Sequence, residues 1–417
     1  MMKLAKFFVS RVRGQANRLK IISPRKSILV WLILGPGVFC ACDSKYNIVE
    51  AFLQNGAETK LFTYQEWNLY NLGQSVAISG DVALIGGSYG PSAYLYHWDG
   101  RAWMKQENLI SNRSSSSEAV GLNGDLAVVG GGYGSKVYVY RFNGSRWQEE
   151  AILTPSDGSS DVVSVSEKVI AVGSNNNYGT GSVYLYRFNG SSWVEEAKLT
   201  ASAEAYGFGV AVSVSGDVAI VGASRTYAGY REENAGAAYV YRYTGSSWKA
   251  EAKLTAGDAA RGDQFGRAVA VNGNAVIVGA PYDDENIENA GSAYIFRRNG
   301  SIWQQETKLS FNRTAPSPNA YFGWAVAIEE NVAIIGAPFD DDDGYDPPSE
   351  PGLAYVYQWD GRVWQEQKKL AASDGYAGNR FGAAVAINGR LAIVGAPAPY
   401  DYQRNEGGGA AYVYRLD

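Results

Sequence analysis

Residues 265–309 read FGRAVAVNGNAVIVGAPYDDENIENAGSAYIFRRNGSIWQQETKL. Two short apolar, β-branched runs, 267–271 and 275–278, flank Asn272-Gly273-Asn274, a triplet suited to a tight hairpin turn with positive φ. After a polar loop, Ala293-Tyr-Ile-Phe-Arg297 ends at Asn299-Gly300, and Trp303-Gln-Gln-Glu-Thr-Lys-Leu309 follows. The pattern predicts a four-stranded antiparallel meander.

The same unit recurs along the chain. Trp103, Trp147, Trp193, Trp248, Trp303 and Trp364 each follow a turn glycine by three residues and precede a leucine by six (Leu109, Leu153, Leu199, Leu254, Leu309, Leu370). Six complete units are visible. A seventh starts at Phe381-Gly382 and stops after its third strand, whereas Glu58-Thr59-Lys60-Leu61, ahead of the first unit, repeats Glu306-Thr307-Lys308-Leu309. A ring that lends this N-terminal strand to its last sheet leaves no long unpaired edge. The expected fold is an all-β, seven-bladed propeller of four-stranded antiparallel blades over 57–417, closed by that strand.

Four units carry a further pattern: Phe208-Gly209 with Gly222-Ala-Ser224, Phe265-Gly266 with Gly279-Ala-Pro281, Phe322-Gly323 with Gly336-Ala-Pro338, and Phe381-Gly382 with Gly395-Ala-Pro397. This resembles the FG-GAP repeat family, the propeller of integrin α subunits and of many bacterial surface proteins. Leu72-Gly73 replaces Phe-Gly in the first unit, the second and third lack it, and none of the three has the proline. The resemblance implies a non-catalytic ligand-binding or adhesion module. The family's calcium loop, which lies between first and second strands, has no counterpart here, because those connections are tight turns.

The first 26 residues hold eight Lys or Arg and no acid, and an apolar run of 12 residues follows at 28–39. At roughly 18 Å this run is too short to span a hydrocarbon core of about 30 Å, so a signal peptide over 1–42 is the expectation. Phe39-Cys40-Ala41-Cys42 looks like a bacterial lipobox, which makes Cys42 the lipidated N-terminus of an envelope lipoprotein on the periplasmic or surface side. A plain cleaved signal and an uncleaved anchor are the alternatives. Residues 43–56 form a tether reaching at most about 50 Å.

From residue 43 onward, 29 basic and 42 acidic residues give a net charge of −13, so a nucleic-acid partner is not expected. One histidine, His97, standing in register with Arg141, Arg187 and Arg242, leaves no material for Ser-His, Cys-His or histidine-metal chemistry. Arg261-Gly262-Asp263 is how the repeat enters its first strand, and the Asn-Gly-Ser triplets at Asn143, Asn189 and Asn299 are explained by turns.

Minimal first-to-second and third-to-fourth turns share one rim of the expected ring. The opposite rim takes the long loops, 224–236, 281–291, 338–352 and 397–409, and binding residues concentrate on loops carried by a rigid scaffold. Candidate ligand residues there are Tyr227, Tyr230, Tyr282, Asp283, Phe339, Asp340, Tyr345, Tyr400 and Tyr402, for a protein or glycan ligand. No cofactor is expected; a cation site at Asp340, Asp342 and Asp346 is the secondary reading, since clustered carboxylates suit calcium. Two further functions are open: a glycan-active hydrolase using Asp283 with Asp340, and a structural or assembly subunit of an envelope complex. The six repeat tryptophans are expected in blade contacts.

Overall fold

A computed structural model describes residues 58–62, 70–88, 93–109, 119–130, 136–156, 162–174, 180–201, 205–224, 235–284, 287–311, 318–340, 351–376, 378–397 and 409–416, with short backbone strands at 20–22, 29–33, 38–40 and 52–53. Those four short strands pair antiparallel in chain order ahead of the ring. Cys42 and most of the predicted tether lie outside the described residues. Among the described residues, no helix is long and apolar enough to cross a membrane.

Seven four-stranded antiparallel blades form the ring. In blade 5 the strands are Ala268–Asn272, Ala275–Ala280, Ser292–Asn299 and Ile302–Leu309. Blade 7 takes Ala384–Asn388, Leu391–Ala396 and Ala410–Arg415 from the end of the chain and Glu58–Leu61 from its beginning. Leu61 opposes Ala411, Lys60 opposes Tyr412 and Glu58 opposes Tyr414, so the strand exchange expected from the repeat phase closes the ring.

The apolar residues of the blades separate into seven clusters, each joining two neighbouring blades. Stacked repeats share such interfaces in place of one central core. Second strands such as Ala275–Ala280 are buried along their whole length, because both faces of the sheet meet a neighbour. The seam between blades 7 and 1 is built the same way: Leu61, Leu72, Ile393 and Val413 pack with Tyr94 and Trp103.

The Phe-Gly step is a type II turn. The Arg267 amide donates to the Gln264 carbonyl at 3.0 Å, and Gly266 has φ +92°, as the third position of that turn requires. A second constraint comes from packing. A Cβ on Gly279 would lie 2.0 Å from the Gly323 carbonyl oxygen of blade 6. The glycines of the two halves of the pattern thus meet across the blade interface, backbone against backbone. Phe265 itself is fully buried, edge-on to Tyr294 and Phe296.

The trimmed rim carries a closed ring of hydrogen bonds. The last residue of each first strand accepts an amide from the next blade's turn: Ser79 from Gly124 (2.9 Å), Asn123 from Glu167 (3.2 Å), Ser166 from Gly216 (3.1 Å), Ser215 from Gly273 (3.5 Å), Asn272 from Glu330 (3.2 Å), Glu329 from Gly389 (2.7 Å) and Asn388 from Gly80 (2.7 Å). The last bond spans the seam.

At the outer edge of that rim, one bulge recurs. Pairing of third with fourth strand skips Gln106, Glu150, Glu196, Glu251, Glu306 and Gln367 in blades 1 to 6. A bulge re-aims the extra side chain. Here the glutamates bind an arginine of their own blade (Arg187 to Glu196, 2.8 Å; Arg242 to Glu251, 2.9 Å; Arg297 to Glu306, 2.7 Å). They also reach the next blade: Trp193 donates to Glu150 (2.9 Å), Trp248 to Glu196 (2.7 Å) and Trp364 to Glu306 (3.0 Å). The repeat tryptophans do serve blade contacts.

Candidate functional site: an aromatic shelf on the long-loop rim

On the long-loop rim, blades 5 and 6 bring four aromatic residues together. Tyr282 follows the Gly-Ala-Pro of blade 5 and Phe339 that of blade 6, while Tyr321 and Trp324 flank the Phe322-Gly323 turn. Tyr282 meets Tyr321 edge-on at 4.9 Å, Tyr321 meets Phe339 at 5.4 Å and Trp324 at 6.0 Å, and Trp324 meets Phe339 at 6.2 Å. All four rings are half-buried, forming one continuous shelf. The Arg267 guanidinium lies over Trp324 at 4.7 Å, and that of Arg380, from blade 7, over Phe339 at 5.5 Å.

Tyr321 and Arg380 occupy left-handed backbone, with φ of +55° and +54°. Non-glycine residues seldom adopt this region. The same position is left-handed at Asn71 and Gln264, so the turn geometry imposes it and lifts these side chains toward the rim.

The residues next to the shelf aromatics point the other way. Asp283 is buried and accepts the Tyr294 hydroxyl at 2.7 Å, and Lys308 pairs with both Asp283 (2.9 Å) and Asp258 while its ammonium sits over the Tyr294 ring. Burial, then the hydrogen bond to Asp283, pushes the Tyr294 hydroxyl well above its usual range. Asp340 is fully buried and accepts the Tyr355 hydroxyl. In blade 7 the arrangement is repeated by Tyr412, Lys60 and Asp374, with Tyr412 to Asp374 at 2.8 Å and Lys60 to Asp374 at 2.6 Å. Asp283 and Asp340, expected from the sequence as ligand residues of the long-loop rim, are both buried. Both instead anchor their loops: the second strands end at Ala280 and Ala337, and a turn closed by the Asp283 amide on the Ala280 carbonyl (3.2 Å) and by the Asp340 amide on the Ala337 carbonyl (3.1 Å) carries each carboxylate inward.

Asp263 is buried too, its carboxylate accepting the Ala260 amide at 2.7 Å. Burial pushes it up to about 6, against the Ala260 hydrogen bond and with help from the charges of Asp283, Asp284 and Asp258. The Arg-Gly-Asp tripeptide is therefore not displayed. His97 is exposed and pairs with Val82, as Arg141, Arg187 and Arg242 pair with the first residues of their second strands. Asn143 and Asn189 accept amides two and three residues ahead, which is the turn role expected of them.

Of the predicted ligand residues, Tyr282 and Phe339 come together, through Tyr321 and Trp324, which the sequence reading missed. Their signal was positional, since both touch a Phe-Gly turn. Tyr227, Tyr230, Tyr345, Tyr400 and Tyr402, and the cation candidates Asp342 and Asp346, lie outside the described residues. Among the described residues, no group of three or more His, Cys, Asp or Glu converges as a metal site. What the shelf can do chemically is stack against a ring or apolar face and pair a negative charge.

The profile of the FG-GAP repeat matches residues 193–241, 248–296, 303–357 and 364–414. This chain is an FG-GAP repeat propeller. Each match runs from a fourth-strand tryptophan to the third strand of the following blade, so the FG-GAP unit straddles an interface and includes the bulge glutamate position. The phase is that of the closure: the chain supplies a fourth strand first and a third strand last.

No curated protein matches the chain. Among solved structures, "Structure of U3-55K" superposes with a TM-score of 0.56 at 11% identity, covering 87% of this chain and 99% of that one. "Crystal structure of RRP9 WD40 repeats" gives 0.56 at 10% identity, covering 88% and 100%. A crystal structure of the computationally designed Ika8 protein gives 0.50 at 11% identity, covering 97% of each chain. Likeness at this identity concerns the fold alone.

Proposed function

We propose that this FG-GAP propeller is a non-catalytic binding module of the bacterial cell envelope, held at the membrane through a lipid on Cys42 and offering its long-loop face to a protein or glycan ligand. The observation that carries the reading is the shelf. Tyr282, Tyr321, Trp324 and Phe339 leave large aromatic area half-exposed where the blade core is already filled by Phe265, Phe322 and the third-strand tyrosines. Clustered exposed aromatics beside arginine are the composition of binding hot spots. The carboxylates that a hydrolase would use, Asp283 and Asp340, are engaged by buried tyrosines, which favours binding over catalysis.

The test is a binding screen of the purified protein against envelope extracts and glycans, repeated with Tyr321→Ala and with the trimmed-rim variant Arg362→Ala. Loss of binding by more than about tenfold, roughly 1.4 kcal/mol, in Tyr321→Ala alone is expected. Binding lost in Arg362→Ala and kept in Tyr321→Ala would overturn the placement. For the anchor, a labelled fatty acid should be incorporated into the wild-type chain and not into Cys42→Ala.

A further inference from the structure

We infer that Asp263 is a proton-operated switch beneath the shelf: protonated, it keeps the loop entering blade 5 closed against the Tyr282 turn, and ionised, it loosens both. This deepens the binding-module reading and rests on it for the consequence at a ligand, since Tyr282 forms the blade 5 edge of the shelf.

Asp263 joins the two segments through its own atoms. Its carboxylate closes the entering loop by accepting the Ala260 amide at 2.7 Å, and its backbone carbonyl accepts the Tyr282 amide at 3.3 Å. Past Tyr282 the chain is pinned by the Asp283 amide on the Ala280 carbonyl (3.2 Å) and by the Gly291 amide on the Asp283 carbonyl (2.9 Å). A displacement of Asp263 is therefore felt at the residue that meets Tyr321 edge-on at 4.9 Å.

The charges around this junction do not balance. Asp258 and the exposed Arg261 stand on the entering loop, Asp283 and the exposed Asp284 follow Tyr282, Tyr294 comes from the third strand and Lys308 from the fourth. The Lys308 ammonium is taken by Asp283 (2.9 Å) and Asp258, and the Tyr294 hydroxyl by Asp283 (2.7 Å). Asp263, buried, is met by a neutral amide, while Asp283, Asp284 and Asp258 oppose its ionisation by like charge. A buried carboxylate without a cation is costly to ionise, and opening its loop to water removes the cost. Burial chiefly lifts the closed-state carboxyl to about 6, whereas a hydrated aspartate titrates near 3.9. A value raised in the closed state means that closure is fully favoured below about pH 4 and is weakened as pH rises through 6, by roughly a hundredfold at pH 7.5.

The experiment follows amide hydrogen exchange in the full chain at pH 5 and pH 7.5, each rate normalised to the intrinsic rate at that pH. It needs no ligand, so failure of the binding reading and failure of the switch are told apart. Expected in the wild type is exchange at 258–266 and 280–284 that is faster at pH 7.5 by more than about tenfold, with 137–153 of blade 2 unchanged. Asp263→Asn, neutral at every pH, should abolish the difference and stay protected at both. Asp284→Asn, a change at an exposed residue, should move the midpoint of the wild-type transition to lower pH. Equal protection at both pH values in the wild type, the same loss at pH 7.5 in Asp263→Asn, or a midpoint unmoved by Asp284→Asn overturns the switch. Loss confined to 258–266, with 280–284 still protected, overturns its coupling to Tyr282 and the shelf.

Discussion

The Glu306 carboxylate of blade 5 accepts the indole N–H of Trp364 in blade 6 at 3.0 Å while it holds Arg297 of its own blade at 2.7 Å. The contact exists because a β-bulge swings Glu306 out of the pairing between Ile295 and Phe296. One residue thereby ties a hairpin to itself and to its neighbour.

Glu306→Ala should cost about 2 kcal/mol, since three hydrogen bonds to the carboxylate, two from Arg297 and one from Trp364, are lost and the arginine is left without its partner. Burial alone would raise the carboxyls of Glu196, Glu251 and Glu306, but their arginine and tryptophan donors outweigh it and hold all three below the usual range. A depressed folded value means stability that is present above the unfolded pKa of about 4.3 and lost as pH falls through the folded value. The melting deficit of Glu306→Ala should therefore shrink in strong acid; a deficit independent of pH would refute the latch.

Asp263 has the opposite sign. Its folded value of about 6 lies above the usual 3.9, so ionising it opposes folding, and stability falls as pH rises from 4 through 6. Asp263→Asn keeps an acceptor for the Ala260 amide and should raise the melting temperature at pH 7.5, by at most about 3 kcal/mol in stability, with the gain fading below pH 4. A variant less stable than wild type at both pH values would show that the charge is needed.

Gly279→Ala should destabilise strongly, by about 2 kcal/mol or more, because the new Cβ meets the Gly323 carbonyl at 2.0 Å and neither backbone can yield without opening the interface. Alanine in place of Gly300, in open space at a hairpin tip, meets only the strain of its positive φ. Thermal melts of the two variants should be well separated, and similar losses would remove the packing argument.

Leu61→Ala should lower stability by about 2 to 5 kcal/mol. Leu61 is fully buried at the seam, and its strand is held by pairing to Ala411–Tyr414, by Lys60 on Asp374 and by Ser373 on Glu58. Hydrogen exchange should show blades 1 and 7 opening first. Protection lost evenly round the ring would mean that the seam is no weaker than the other interfaces.

The ring was legible in the chain because a repeated unit must bury its faces against copies of itself. Tryptophan and glycine spacing set the strand register, and the phase of the first and last units set the closure that pairs Leu61 with Ala411. Turn chemistry was equally local: Asn143, Asn189 and Asp360 bond amides within three residues, so sequence suffices to see them.

Only the tertiary structure decided where carboxylates point and which aromatics meet. Asp283 and Asp340 looked like rim ligands, yet tyrosines from a different strand bury them. Tyr321 and Trp324 looked like parts of a turn, and they join Tyr282 and Phe339 from loops of two blades. The bulge glutamates resemble any other exposed charge in a strand until the neighbouring blade supplies a tryptophan. Spacing along the chain encodes contacts within a repeat, whereas contacts between repeats depend on the angle at which blades pack around the ring.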